Sequence, residues 1–259
     1  DLVRLAGFDP SAVICEIMND DGSMARRPDL ERFAETHGMP ILSVQDIVAH
    51  RLRSEDPIEM VSSSILPIND LGDFKIDTVR CVQTGAEHVV LRSQVSPTDG
   101  LPLVRLHSEC LTGDVFGSSR CDCGRQLDLA LERIAKNGGA LIYLRQEGRG
   151  IGLSNKIKAY ALQDEGLDTV EANVALGFCA DERDYTVAAC IVDALDLGPF
   201  DLLTNNPKKM DALCAYGLPV NARVALQTEP TADNICYLRT KQKKMGHCLS
   251  LSEDETTYV

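Results

Sequence analysis

The sequence predicts an α/β layered core preceded by a shorter mixed unit. Three observations carry that expectation. Beyond about residue 74, short apolar runs of strand length alternate with segments whose apolar residues recur at helical spacing. Two polar loops, rich in Gly, Asn and Lys, each fall between a strand and a helix, where α/β folds gather their sites. The chain has 259 residues, 44% hydrophobic and 25% charged, enough for a real core and too apolar for wholesale disorder.

The elements follow in order. Residues 12–18 read as a buried strand, Asn19-Asp-Asp-Gly-Ser as a turn, 29–37 as a short amphipathic helix and 44–52 as another helix. Ser54-Glu-Asp-Pro, Ser62-Ser-Ser and Pro67 give residues 54–67 the composition of a linker. Residues 74–79 and 88–92 read as strands of a hairpin or meander, and 102–107 as a strand. Leu127, Ala130, Leu131 and Ile134 share one helix face, and Gly138-Gly139 ends that helix. A short apolar strand spans 140–144. A helix capped by Ser154 runs to about 164. Val187, Cys190, Ile191, Ala194 and Leu195 mark the next helix, closed by Gly198-Pro199. A strand at 200–204 and a helix at 208–216 complete the pattern. The expected domains are 1–53, the linker 54–67, a main domain over 68–250 and a disordered tail at 251–259.

Composition excludes several functions. Against 39 acidic residues stand 26 Lys and Arg, a net charge of −13, which argues against a protein that coats nucleic acid. Trp is absent and aromatics are 5%, so stacking surfaces for single strands are scarce. No apolar run approaches the ~20 residues of a membrane helix. The ten cysteines are too sparsely spaced for a secreted disulfide scaffold, and most read as thiols buried in a reducing compartment. The chain opens at Asp1 rather than Met, which reads as a fragment or a processed form.

One cysteine cluster breaks the pattern. Cys110, Cys121 and Cys123 lie close in sequence, with Gly113, Gly117 and Gly124 to let the loop turn. Zinc takes thiolates in a tetrahedron, and three protein ligands plus an open position is the layout of a catalytic site. Three buried thiols without a metal is the bland alternative. His107 is the nearest candidate for a fourth ligand, though strand alternation works against it. Three thiolates leave a divalent ion at net −1, so a neighbouring cation such as Arg120 or Arg183 is expected to help it activate water. Gln146-Glu-Gly-Arg-Gly-Ile-Gly152 is a Gly-rich turn between strand and helix, suited to an anion through Arg149 and backbone N–H groups. A plain packing turn would look the same. Leu203-Thr-Asn-Asn-Pro-Lys-Lys209 sits in the equivalent place. Ala180-Asp-Glu-Arg-Asp-Tyr185 reads as an acidic helix start, which Arg183 fits poorly.

Taken together, these stretches resemble GTP cyclohydrolase II. Those carrying the resemblance include Arg105-Leu-His-Ser-Glu-Cys-Leu-Thr-Gly-Asp-Val-Phe, Arg120-Cys-Asp-Cys-Gly, Arg145-Gln-Glu-Gly-Arg-Gly-Ile-Gly, Lys156-Ile-Lys-Ala-Tyr-Ala-Leu-Gln, Asp181-Glu-Arg-Asp-Tyr and Lys244-Met-Gly-His. The resemblance implies a layered mixed sheet with flanking helices. It implies Cys110, Cys121 and Cys123 as ligands of one Zn²⁺ per subunit, with Mg²⁺ on the GTP triphosphate. It implies GTP contacts at Arg105, Leu106, His107, Ser108, Glu109, Gln126, Glu147, Gly148, Arg149, Thr169, Thr204 and Lys209. Asp181 matches the residue assigned as proton acceptor, Arg183 the one assigned as nucleophile, and Tyr160 a tyrosine of the ring chemistry. The implied reaction opens the imidazole ring of GTP, releases formate and pyrophosphate, and begins riboflavin biosynthesis. It also implies a homodimer in the cytoplasm, or in a plastid for a processed plant-type protein.

Physical chemistry refines those roles. Arg105, Arg149 and Lys209 suit the triphosphate charge. Gln126 and Glu147 suit the polar edge of guanine. A guanidinium keeps its proton, so Arg183 is better read as stabilising phosphate charge, held by Asp181.

The first fifty residues resemble the carboxyl end of 3,4-dihydroxy-2-butanone 4-phosphate synthase, through Leu5-Ala-Gly-Phe, Val13-Ile-Cys-Glu-Ile-Met-Asn-Asp-Asp-Gly-Ser-Met-Ala-Arg and Asp46-Ile-Val-Ala-His-Arg. Glu16 matches an acidic active-site residue. That family's earlier metal-binding acids and phosphate-contacting segment are not in this sequence, so this chain alone is not expected to make the butanone phosphate. The competing reading is a zinc- and nucleotide-binding homologue without turnover, serving regulation or assembly. A zinc deaminase would pair His-x-Glu with Pro-Cys-x-x-Cys, and that pairing is absent. A nicotinamide dehydrogenase would need different glycine spacing.

Overall fold

The computed structural model describes residues 1–251 apart from 45, 48–49, 52–54, 56, 98–99 and 184. The chain divides into two compact units, Asp1–Asp56 and Pro57–Val259.

In the first unit, helix α1 spans Leu2–Leu5 and α2 spans Arg27–His37. Pro28 sits in the first turn of α2, where its missing N–H costs nothing. The Asp29 carboxylate accepts from the backbone N–H of Arg26 at 2.9 Å, and Gly38 closes the helix at φ 61°. The strand expected over 12–18 does not form. Val13 is 98% exposed, and a single bridge between Met18 and Met24 is all the pairing there. A strand needs a neighbour for its backbone groups, and none of the described residues of this unit supplies one. The helix expected over 44–52 falls partly on residues outside those described.

The second unit is built on one mixed seven-stranded sheet. Its strands are β1 (Ile58–Ile68), β2 (Gly72–Cys81), β3 (Glu87–Ser93), β4 (Leu103–Ser108), β5 (Gly139–Leu144), β6 (Phe200–Leu203) and β7 (Val220–Val224), in the spatial order β1-β2-β3-β5-β4-β6-β7. The β1, β2, β3 and β5 ribbon is antiparallel. The β5, β4, β6 and β7 half is parallel. Composition marked 54–67 as a linker, yet most of it is the edge strand β1. An edge strand tolerates Pro67 and three serines because one side of its backbone pairs with no other strand among the described residues. Ser62 and Thr78 bond across the pair at 2.6 Å.

Alternation along the strands divides the core. Val104, Leu106, Ala140, Ile142 and Leu144 face helices α7 (Thr186–Ala194) and α8 (Pro207–Ala215), meeting Ala188, Ile191, Val192 and Leu213. Leu141 and Tyr143 point the other way, onto Ala130 and Ile134 of α4 (Cys123–Asn137). The remaining helices are α3 (Leu111–Asp114), α5 (Gly152–Asp164), α6 (Thr169–Ala175) and α9 (Ile235–Met245). Ser154, expected to cap α5, lies inside its first turn. A 3₁₀ turn over Glu147–Gly150 brings the chain into the helix two residues earlier. At the end of the main domain, Leu249 is buried and Ser250 is tied to Gln227 on both backbone groups. Residues 252–259 lie outside those described.

Candidate active site

The carboxyl ends of β4, β5 and β6 meet at one edge of the parallel half, where α/β folds bind ligands. The chain leaves β4 into Glu109 and Cys110, β5 into the turn at Glu147–Gly150, and β6 into Thr204, Asn205 and Asn206. Between them lies a cleft with about 1090 Å³ of atom-free space, part of it open to solvent. Sixteen of the eighteen residues expected at the site line it: Arg105, His107, Ser108, Glu109, Cys110, Cys121, Cys123, Gln126, Glu147, Gly148, Arg149, Tyr160, Thr169, Arg183, Thr204 and Lys209. The other two stand behind it. Leu106 points into the core by strand alternation and offers only its backbone oxygen, which accepts from Lys209 Nζ at 2.6 Å. Asp181 grips Arg183 through two parallel bonds, at 2.7 and 2.6 Å.

The three sulfurs converge from the starts of two helices. Cys110 precedes α3, Cys121 precedes α4, and Cys123 opens it. All three ligand atoms lie within 4.8 Å of one another, and Cys110 Sγ is 3.7 Å from Cys121 Sγ. Bonds of ~2.3 Å to a tetrahedral zinc put its sulfurs about 3.8 Å apart, so this donor set fits that ion. Gly113 makes the convergence possible. A Cβ there would sit 2.9 Å from Cys121 Sγ and 3.2 Å from Cys110 Sγ. The thiols also compete for ionisation. Hydrogen bonds from Cys121 and Cys123 draw Cys110 far below the usual thiol range, while the same contact with Cys110 holds Cys121 up at about 11 and Cys123 higher than usual. A divalent ion among them lets all three ionise.

His107 does not complete the set. Its Nε2 lies 3.1 Å from the Asp114 carboxylate, which also accepts from Tyr143 Oη at 2.8 Å and Cys110 N at 2.9 Å. Nor do Arg120 and Arg183 stand against the sulfurs. Arg120 pairs with Asp164 at 2.7 Å. The cation in contact with a ligand sulfur is Lys156, its Nζ 3.1 Å from Cys110 Sγ and 2.7 Å from Glu147 Oε1. Glu147 also accepts from Leu111 N at 2.7 Å and Gly148 N at 2.9 Å, so its carboxylate braces the cysteine loop. Gln126 is likewise engaged, accepting from Arg105 at 2.7 Å and donating to Asp122.

The rest of the cleft is cationic. Arg149 sits at φ 61°, a left-handed conformation that costs a non-glycine residue roughly 1–2 kcal/mol. Its guanidinium lines the cleft, and one terminal nitrogen is buried with no hydrogen-bond partner among the described residues. Arg105 is dragged down to about 10 by burial, and its Nε is also buried with no partner among the described residues. Burial, then the charges of Arg105, Arg183 and Lys241, push Lys209 well below the usual lysine range. An anion in the cleft relieves all three. Sequence reasoning missed the wall supplied by α9 and the turn after it: Tyr237, Lys241, Met245 and His247. Lys241 bonds Asp122 at 2.9 Å and lies 4.2 Å over the Tyr237 ring. The fragment Lys244-Met-Gly-His was the signal that pointed there.

Residues 1–50 match the family model described as 3,4-dihydroxy-2-butanone 4-phosphate synthase. The chain is 52% identical over 249 residues to "Riboflavin biosynthesis protein RibBA" of Aquifex aeolicus, covering 95% of this chain and 61% of the relative. It is 50% identical over 251 residues to the protein of that name from Salinispora tropica, covering 96% and 62%. It thus spans about three-fifths of the length of these curated relatives. A solved structure titled RibBX, a two domain 3,4-dihydroxy-2-butanone 4-phosphate synthase from A. baumannii, has the same fold, with a TM-score of 0.56, 25% identity, and coverage of 88% of this chain and 57% of the other. The model described as GTP cyclohydrolase II matches residues 59–225, the stretch that carries the three cysteines, the Gly-rich turn and the loop after β6, and the chain belongs to that family.

Proposed function

We propose that this chain hydrolyses GTP with zinc to 2,5-diamino-6-ribosylamino-4(3H)-pyrimidinone 5′-phosphate, formate and pyrophosphate. The observation that carries the reading is the meeting, in one cleft, of a three-sulfur donor set and a crowd of cations suited to a polyphosphate. Cys110, Cys121 and Cys123 would hold the zinc, which supplies Lewis acidity that activates water at neutral pH. Mg²⁺ arrives with the triphosphate.

The side chains divide the remaining work. Arg105, Arg149, Lys209 and Lys241 bind the phosphates. Tyr160 is pushed up by burial and keeps its proton, and its hydroxyl lies 3.1 Å from Thr112 Oγ1, positioned to donate to the ring as it opens. Arg183 is held up by Asp181 against burial, so its guanidinium stays charged and is no nucleophile. It stabilises phosphate charge, and Asp181 aims it. Homodimerisation and a cytoplasmic setting belong to the same proposal and rest on the family. The named relatives are bacterial, which favours the cytoplasm over a plastid.

The test is metal analysis with a GTP assay that scores formate and pyrophosphate separately. The zinc-loaded chain is expected to release both, and Arg183→Lys to retain pyrophosphate release. Bound but intact GTP would instead support a silent homologue. That second reading draws on the structural relative, which is titled for the other activity.

A further inference from the structure

We propose that Lys156 is a positioning residue of the metal centre: its ammonium, held by Glu147, donates a hydrogen bond to the ligand sulfur of Cys110 and tempers that sulfur's donation to the ion. The inference rests on the zinc reading above and goes beyond it.

The geometry is specific. Lys156 Nζ is buried, 3.1 Å from Cys110 Sγ on one side and 2.7 Å from Glu147 Oε1 on the other. Three thiolates with a divalent ion carry a net charge of −1. The ammonium lies against that charge at Cys110, and the Glu147 carboxylate on its other side leaves the local sum at −1, so its effect on the centre is the hydrogen bond to the sulfur. Glu147 fixes the ammonium in place, being itself fixed by the backbone N–H groups of Leu111 and Gly148. Leu111 is the residue after Cys110, so one carboxylate steadies both the ammonium and the loop carrying the ligand. Helix α5 supplies the lysine from 46 residues away in sequence. Tyr160 follows Lys156 by one helical turn on the same face, with the ammonium 5.8 Å from its ring centroid. A hydrogen bond to a ligand sulfur lowers that sulfur's electron donation, which leaves the ion a stronger Lewis acid. It also keeps protons from competing for the thiolate.

The experiment uses the full 259-residue chain, as wild type, Lys156→Met, Lys156→Arg and the double variant Lys156→Met with Glu147→Gln. The double variant removes the carboxylate that the single methionine strands in a buried site, so misfolding of the single variant leaves the test intact. Two readouts are independent of turnover. One is zinc retention against a chromophoric chelator. The other is the sulfur-to-metal charge-transfer band of the cobalt-substituted protein. Lys156→Met is expected to lose about 10–100-fold in apparent zinc affinity at neutral pH. In both methionine variants the charge-transfer band moves to longer wavelength, because the sulfur has lost its donor. Lys156→Arg restores most of the wild-type band. An unchanged band in the methionine variants overturns the inference, as does an equal shift in the arginine variant. Wild-type protein that takes up no divalent ion overturns the zinc reading itself, and this inference with it.

Discussion

At the scale of single residues, the site depends on what is small as much as on what is charged. Gly113 is the clearest case, because any side chain there points into the sulfur cluster. Gly113→Ala is expected to destabilise the protein by about 1–3 kcal/mol, through overpacking, and to cut its zinc content. Chemical denaturation and metal analysis check the two effects. A variant with wild-type metal content would mean that the sulfurs are not held as tightly as their 3.7 Å spacing implies. The cysteines were legible in the sequence because all three fall within fourteen residues of loop and helix start. Lys156 was not, because it reaches Cys110 only once α5 has packed beside α3. The fate of the Glu147 carboxylate was equally hidden. Its three donors come from the chain on both sides of it, and spacing alone left it free for a base.

At the scale of elements, the sequence reads best where an element is buried on one face. The strands β2 to β6 and helices α4, α7 and α8 carry apolar residues at the period of their structure, and each lies where that period puts it. Strand β1 is exposed along most of its length, so serine and proline there looked like a linker. Helix α9 is too rich in Lys, Thr and Gln to show a clear stripe, yet it walls the cleft. The turn after α9 gives a test by pH. Burial, then the charges of Lys241, Arg183, Lys209 and Arg149, push His247 down to about 3. In the unfolded chain it titrates near ~6.5. Between those values the unfolded state binds a proton that the folded state refuses. The contribution is therefore complete above pH 6.5 and fades as the pH falls toward 3. Wild type is expected to lose about 1 kcal/mol more than His247→Gln between pH 6.5 and pH 5, allowing for solvent access to the ring. Urea midpoints at the two pH values, in excess zinc, check it. Parallel loss in both proteins would place the proton elsewhere.

At the scale of the whole molecule, the cleft belongs to one unit. Every residue lining the cleft comes from the unit Pro57–Val259. The match to GTP cyclohydrolase II, at 59–225, falls within the same unit. Among the described residues of Asp1–Asp56 none is buried, although Val13, Ile14, Phe8 and Met18 are strongly apolar and exposed. A catalytic site needs a cavity that excludes water around its charged groups, and the described residues of this unit bury no side chain that would wall one. The two resemblances in the sequence therefore carry different weight: one rests on an assembled cleft, the other on a stretch of chain. Residues 57–259 expressed alone, a unit with its own sheet and core, are expected to release formate from GTP at a rate within about twofold of the whole chain. The whole chain is expected to form no dihydroxybutanone phosphate from ribulose 5-phosphate under the same conditions. Assays of both products on both proteins decide the matter. Butanone phosphate from the 259-residue chain would show that its first unit builds a site when substrate binds. Loss of formate release on truncation would show that the first unit supports a cleft to which it contributes no lining residue.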